Sequence, residues 1–516
     1  NPITDDFERI AYDLPGNDSN SLNSNFINCI LAEEDHIWFG TETGGINLLN
    51  PRRLSIRSYR HDKENLSSLS CNPVNAVYED KYGTLWVGTV EGGLNRKEPG
   101  SERFTHYTRE RGGLSHNSVS ALTADRNNRL WVGTWGGGIN WLDLKTPQSV
   151  QKVISSQTSN GLPVDFIGAL AYDSINNGVW IGANQGLYFY DIAKEELVSP
   201  LAGQAAANVH GCIGSIIDRD GKLWIGCLEG VYIADLQSRS AEGEFQYRHL
   251  NYKLDDPDSR LIEKITCFYE AKDGTLWLGS NGFGIYKRII DPEGKEKFVS
   301  YNTTHGLPNN SVRGILEDNN GNIWIGTNYG LSCYHPIENR FINYTKYDGM
   351  IDTQFYWNAS CRSSHDLLYF GSVGGLVAIE SNRPSMPVTP VKVRFTRLRI
   401  GNEEILPGNE YLPQNIATTT ELKLHEKEKS FSLEFSALNF ESGNAAVYSY
   451  RLVGFDDKWV QVPGNRRFAS YTNLPPGKYT LQVKYTPDGE SEGANITELK
   501  ITIVPYLSCR SSSLSS

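Results

Sequence analysis

One short pattern recurs eight times along the chain, and it restricts the fold more than any other feature. It reads HIWFGTETGGI at Trp38, TLWVGTVEGGL at Trp86, RLWVGTWGGGI at Trp131 and GVWIGANQGLY at Trp180. It continues as KLWIGCLEGVY at Trp224, TLWLGSNGFGI at Trp277, NIWIGTNYGLS at Trp324 and LLYFGSVGGLV at Tyr369. The copies lie roughly 44 to 53 residues apart, whereas helical solenoid repeats are shorter or lack paired strands.

Each copy has the same internal order. In the second, Val74 to Tyr78 reads as an inner strand, Glu79 to Gly83 as a turn and Leu85 to Gly88 as a second strand. Gly92-Gly93-Leu94 opens a third strand, and Phe104 to Tyr107 makes the outer one. Four antiparallel strands per repeat around an axis define an all-β propeller. The repeated Trp supplies apolar area between neighbouring blades, and the Gly two positions later lets sheets approach closely. A stack of these Trp residues binding sugar is the alternative, but a residue present in every blade is better explained by packing.

The last copy lacks an outer strand and runs into Pro-rich sequence from Pro384 to Pro390. Phe7 to Tyr12 resembles an outer strand. The simplest ring therefore has eight blades, the last completed by Phe7 to Tyr12. A seven-bladed ring with one blade left over is the alternative.

Composition agrees with an all-β chain: Gly is frequent, with 49 residues, and aromatics make up 11%. A net charge of -11 argues against nucleic acid as a partner, since phosphates need a basic surface. It leaves room for neutral or cationic ligands, or for an anion held by a local Arg/Lys cluster. None of the eight Cys forms a C-x-x-C pair, and most sit in apolar strand patterns as small buried hydrophobes. The ten His are scattered and give no metal constellation. No cofactor is expected. No run of about 18 apolar residues and no signal peptide is present.

The repeat stops after Pro390. Seven alternating segments follow: 392–400, 421–424, 430–435, 446–452, 459–462, 479–485 and 498–503. Short strands with turns between them suggest an immunoglobulin-like β-sandwich. The expected domains are a β-propeller over 1–385, a sandwich over 386–507 and a disordered Ser-rich tail over 508–516.

Together these residues resemble a known family. The blade, best seen in Ser311 to Asp318 leading to Trp324 to Thr327, resembles the two-component regulator propeller repeat. Tyr448 to Leu452, Gly454 to Trp459 and Ala469 to Tyr479 resemble the Y_Y_Y domain that follows such propellers. The resemblance implies the periplasmic sensor region of a Bacteroidetes hybrid two-component histidine kinase. It implies an oligosaccharide ligand, control of polysaccharide-utilisation genes, a homodimer, and membrane attachment through a missing C-terminal helix. Members of that family carry two propellers and this chain has blades for about one, so it reads as a fragment or a shortened relative.

No G-x-S-x-G, H-E-x-x-H or Walker motif occurs. The Glu-Asp pairs at 79-80 and 317-318 recur at turns, which favours a structural role over a glycosidase pair. Binding is expected where blades differ, on loops entering inner strands and on loops joining second to third strands. The candidates are Glu42, Glu91, His116, Asn117, Trp135, Asn184, Gln185, Glu229, Asn281, Asn328, Tyr329, Tyr356 and Trp357. Amides and carboxylates can bond hydroxyls, and aromatic rings offer flat apolar faces, the mixture a sugar site needs. A propeller glycoside hydrolase or polysaccharide lyase, and a protein-binding scaffold, are the rival readings.

Overall fold

A computed structural model describes residues 22–505 apart from 33–36, 50–54, 112, 149, 159–160, 202–208, 251–263, 346–349, 351, 382–391, 429, 438–446 and 487–495. The chain divides into two compact units, Asn1–Ser385 and Met386–Ser516.

The first unit contains seven four-stranded blades. Their inner strands are Val74–Glu79, Val119–Ala124, Ile167–Asp173, Gly214–Ile217, Ile265–Glu270, Val312–Glu317 and Phe355–Arg362, here numbered blades 1 to 7. Blade 7 takes its outer strand from Ser55–Tyr59, which pairs with Gly375–Glu380 in a register that sets Ile56 opposite Ile379 and Tyr59 opposite Leu376. Ile56 is buried, and the Tyr59 ring meets Phe104 of blade 1 edge-on at 5.6 Å. The ring is thus closed by the strand that directly precedes blade 1. The eight-bladed expectation is corrected to seven, and Phe7 to Tyr12, the strand expected to close it, lies outside the described residues.

The first copy of the motif stands apart from the ring. Ile27–Ala32, Ile37–Thr41 and Ile46–Leu49 form a separate three-stranded sheet. Its fourth strand is the one given to blade 7. Ile30 and Ile46 are exposed by 61% and 72%, whereas their equivalents in blade 1, Val77 and Leu94, are buried.

Two carboxylates explain why the Glu-Asp turn recurs. The Asp accepts a hydrogen bond from the Trp indole six or seven residues later: Asp80 from Trp86 at 2.8 Å, Asp125 from Trp131 at 3.0 Å, Asp218 from Trp224 at 2.7 Å and Asp318 from Trp324 at 2.9 Å. Its other oxygen accepts backbone N–H groups of the turn, as Asp318 does from Asn320 and Asn322. The Glu reaches the preceding blade. Glu317 accepts from the Lys272 N–H at 2.8 Å, and Glu79 accepts from Ser364 N–H at 2.7 Å, joining blade 1 to blade 7. Both carboxylates are held by structural bonds at the end of the inner strand remote from residues 74, 119 and 312.

The Trp side chains fill the spaces between blades. Trp86 packs with Val119 and Val132 of blade 2, and Val74 and Val87 pack with Ala359 and Tyr369 of blade 7. The Gly two positions after each Trp leaves no room for a side chain: a Cβ on Gly88 would lie 2.5 Å from Val119.

The second unit is a β-sandwich of a four-stranded and a five-stranded sheet. All seven expected segments form strands, and Glu403–Ile405 and Phe468–Thr472 add two edge strands. Its tyrosines secure turns: Tyr471 donates to Asp456 at 2.7 Å, and Asp456 also accepts the Leu452 N–H. The tail 508–516 lies outside the described residues.

Replacing Asp318 with Asn aims an amide N–H at the Trp324 indole N–H and leaves that buried donor unpaired. Asp318→Asn is expected to lower stability by about 1–3 kcal/mol in urea unfolding. In a Trp324→Phe background, which removes the indole donor, the same change should cost less.

Candidate ligand-binding site

The inner strands begin with a shared irregularity. In blade 1 Val74 faces Thr89, but Ala76 already faces Gly88, so Asn75 is an extra residue without a partner. The same bulge inserts Ser120, Gly168, Thr266 and Arg313 in blades 2, 3, 5 and 6. A bulge turns a side chain out of the alternating pattern of its strand. Here the bulged positions face across the ring or into the next blade: Asn75 donates to the Val119 carbonyl at 3.3 Å, and Thr266 to the Val312 carbonyl at 2.8 Å. Gly168 has no room for a side chain, since a Cβ would lie 1.9 Å from the Cys212 carbonyl oxygen.

Blade 7 departs from its siblings. Phe355 faces Ser372, yet the next pair is Ser360 with Phe370, so the four residues Tyr356 to Ala359 stand against the single Gly371, a net insertion of three where blades 1, 2, 3, 5 and 6 insert one. Asn358 takes a φ of +51°, in the left-handed region. The longer bulge supplies Tyr356 and Trp357 to the mouth of the axis.

These elements enclose a cavity of about 190 Å³. Its wall is built from Asn75, Ser120, Trp135, Gly168, Ile213, Asn328 and the run Gln354 to Trp357. Trp135, 47% exposed, comes from the loop joining the second and third strands of blade 2 and pairs by a backbone bridge with Phe166. Asn328 comes from the corresponding loop of blade 6.

Behind the wall lies a buried cation. Arg313 is 5% exposed. Its Nε donates to Asn328 Oδ1 at 2.8 Å, and its guanidinium lies 4.7 Å from the centre of the Trp357 ring. Among the described residues no carboxylate pairs with it, and its Nη1 is buried without a hydrogen-bond partner. Burial pulls its pKa down to about 10, so it remains cationic at neutral pH.

Of the residues singled out from sequence, the cavity brings together Trp135, Asn328, Tyr356 and Trp357. The others stand elsewhere. Glu42 belongs to the separate three-stranded sheet, where its N–H bonds Phe26. The Nδ1 of His116 accepts the Ser118 N–H, and Asn117 Oδ1 accepts the Arg109 N–H, so both secure their own loop. Glu229 faces His210 at 3.2 Å, and Gln185 pairs with His210 by a backbone bridge. Glu91, Asn184, Asn281 and Tyr329 lie on loops outside the cavity wall, Tyr329 with 63% exposure. Gln354 and Phe355 join the wall from the same loop as Tyr356 and Trp357, and Asn75, Ser120, Gly168 and Ile213 line it without having been singled out. Their signal is positional: several are the residue just after the first apolar residue of an inner strand.

The first unit carries two-component-regulator propeller repeats, and the second carries a Y_Y_Y domain. Residues 68–91, 113–136, 261–282 and 306–329 match the Two component regulator propeller, and 439–504 match the Y_Y_Y domain. Among solved structures, the extracellular domain of a hybrid two component system from B. thetaiotaomicron is 26% identical, with a TM-score of 0.76. That match covers 95% of this chain and 63% of the other. Histidine kinase P4 of Formosa agariphila is 28% identical over 296 residues, 56% of this chain. The chain thereby spans only 20% of that kinase. Among the described residues, no helix is long and apolar enough to cross a membrane.

The contact between Gly168 and the Cys212 carbonyl sets a test of the bulge geometry. Gly168→Ala is expected to destabilise by about 1–3 kcal/mol in chemical unfolding, the usual result of overpacking.

Proposed function

We propose that this chain is the periplasmic ligand-sensing region of a hybrid two-component histidine kinase and that it binds an oligosaccharide in the axial cavity. The observation that carries the reading is the composition of the wall. Trp135, Tyr356 and Trp357 bring aromatic rings to the same cavity as Asn75, Asn328, Gln354 and Ser120, whose amides and hydroxyl suit sugar hydroxyls. Among the described lining residues there is no carboxylate or imidazole to act as a general acid or base, which favours binding over hydrolysis.

Size restricts the mode. About 190 Å³ is below the roughly 300–1,000 Å³ typical of pockets that engulf a drug-sized ligand. The cavity therefore takes one sugar ring end-on, and the rest of the oligosaccharide runs out over the loops. In the full-length protein, binding would bias a dimer between two arrangements and pass that bias to the kinase, with transcription of polysaccharide-utilisation genes as output. The likeness to the extracellular domain from B. thetaiotaomicron supports this placement.

A glycan array followed by calorimetric titration tests the reading. A bound glycan should lose about tenfold or more in affinity with Trp135→Ala, while the melting temperature stays near wild type because the side chain is half exposed. Turnover of the glycan, or binding unaffected by Trp135→Ala and Trp357→Ala, would reject it.

A further inference from the structure

We infer that the sugar entering the cavity carries an anionic group, a carboxylate or a sulfate ester, placed against the wall formed by Asn328 and Trp357 with Arg313 behind it. This rests on the reading of the axial cavity as an oligosaccharide site and narrows its ligand to acidic glycans.

Arg313 is costly where it lies. A buried cation without a counter-ion is unfavourable, because desolvation is not offset by a paired charge. Two other largely buried arginines of the ring have such a partner: Arg239 lies 2.8 Å from Asp191, and Arg288 lies 2.6 Å from Glu296. Arg313 has none among the described residues, and its Nη1 has no acceptor. Nothing in the blade plan requires a cation there. The matching bulge positions hold Asn75, Ser120, Gly168 and Thr266, which are neutral.

Both groups that Arg313 engages face the cavity. Its Nε holds Asn328 Oδ1, which leaves the Asn328 Nδ2 donors for another acceptor, and its guanidinium lies over the Trp357 ring. An anion at this wall would meet amide donors and the field of a charge that salt screens little because it is buried. The net charge of -11 repels anions from the surface as a whole. A local cation at the cavity is the means of accepting one.

The experiment divides the glycan array into acidic and neutral members and then removes the charge from each side. The expected result is retention of acidic glycans, with affinity lost when the bound glycan is carboxyl-reduced or desulfated; whichever treatment abolishes binding names the group. Arg313→Met should weaken the acidic glycan by roughly tenfold or more while leaving the melting temperature unchanged or raised, since an unpaired buried charge is gone. Arg313→Lys should keep part of the affinity and guards against a misfolded Met variant. Retention of neutral glycans alone would overturn the inference and leave the sensor reading intact. Retention of no glycan would overturn both. A lowered melting temperature in Arg313→Met, with binding insensitive to carboxyl reduction and desulfation, would assign Arg313 a structural role and overturn the inference.

Discussion

The ring depends on one recurring interaction, a buried Asp carboxylate that holds both its turn and the indole N–H of the following Trp. A Trp between blades contributes a large apolar area, but its N–H is costly to bury without an acceptor. The Asp supplies that acceptor from the same blade, at 2.7 to 3.0 Å in blades 1, 2, 4 and 6. In blade 3 Asp173 and Trp180 lie 3.3 Å apart, with one more residue in the turn. The Trp can thus be fully buried, and Trp86, Trp180 and Trp224 are 0% exposed. Blade 5 has Ala271 and blade 7 has Ser363 at this position; Ser363 still holds its turn by accepting the Leu367 N–H, and its aromatic partner is Tyr369, not Trp.

This rigid outer framework frees the inner ends of the strands to differ. A bulge at a fixed position takes one residue in each of five blades out of the packing pattern, so changing that residue need not alter the core. Asn75, Ser120, Gly168, Thr266 and Arg313 occupy equivalent positions with unrelated chemistry. Blade 7 extends the device to a net insertion of three residues and brings two aromatic rings to the cavity. Framework and site therefore lie at opposite ends of the same strands, with the Glu-Asp turns at one end and the cavity at the other.

The repeats made the propeller legible because blade packing imposes the same Trp, Gly and turn residues each time. The seven alternating segments after Pro390 were equally legible, since one face of each is buried. The closing strand was not. Ser55 to Tyr59 and Phe7 to Tyr12 both mix a few apolar residues with polar ones and end on a Tyr, and the pairing with Gly375–Glu380 is what identifies the first. The loops carrying Trp135, Asn328, Tyr356 and Trp357 were legible as departures from the motif. Asn75 and Arg313 were not, because a bulge leaves no mark in an alternating pattern: each reads as one more strand residue until the register shows it unpaired. Glu42 misled for a related reason, since its repeat matches the motif while its sheet stands outside the ring.

Burial and charge sharpen the distinction between framework and site. Asp80, Asp125, Asp218 and Asp318 are nearly inaccessible, yet each accepts several hydrogen bonds, so their charge is stabilised where it lies. Asp191 and Arg239 offset each other. The same rule fails at Arg313, whose Nε donates to a neutral amide and whose ring partner Trp357 faces the cavity. Arg313 reaches from blade 6 to the Trp357 ring of blade 7, yet neither that ring nor the Asn328 amide supplies a counter-charge. The unpaired charge becomes intelligible when the cavity is occupied, because the missing partner can come from outside the chain.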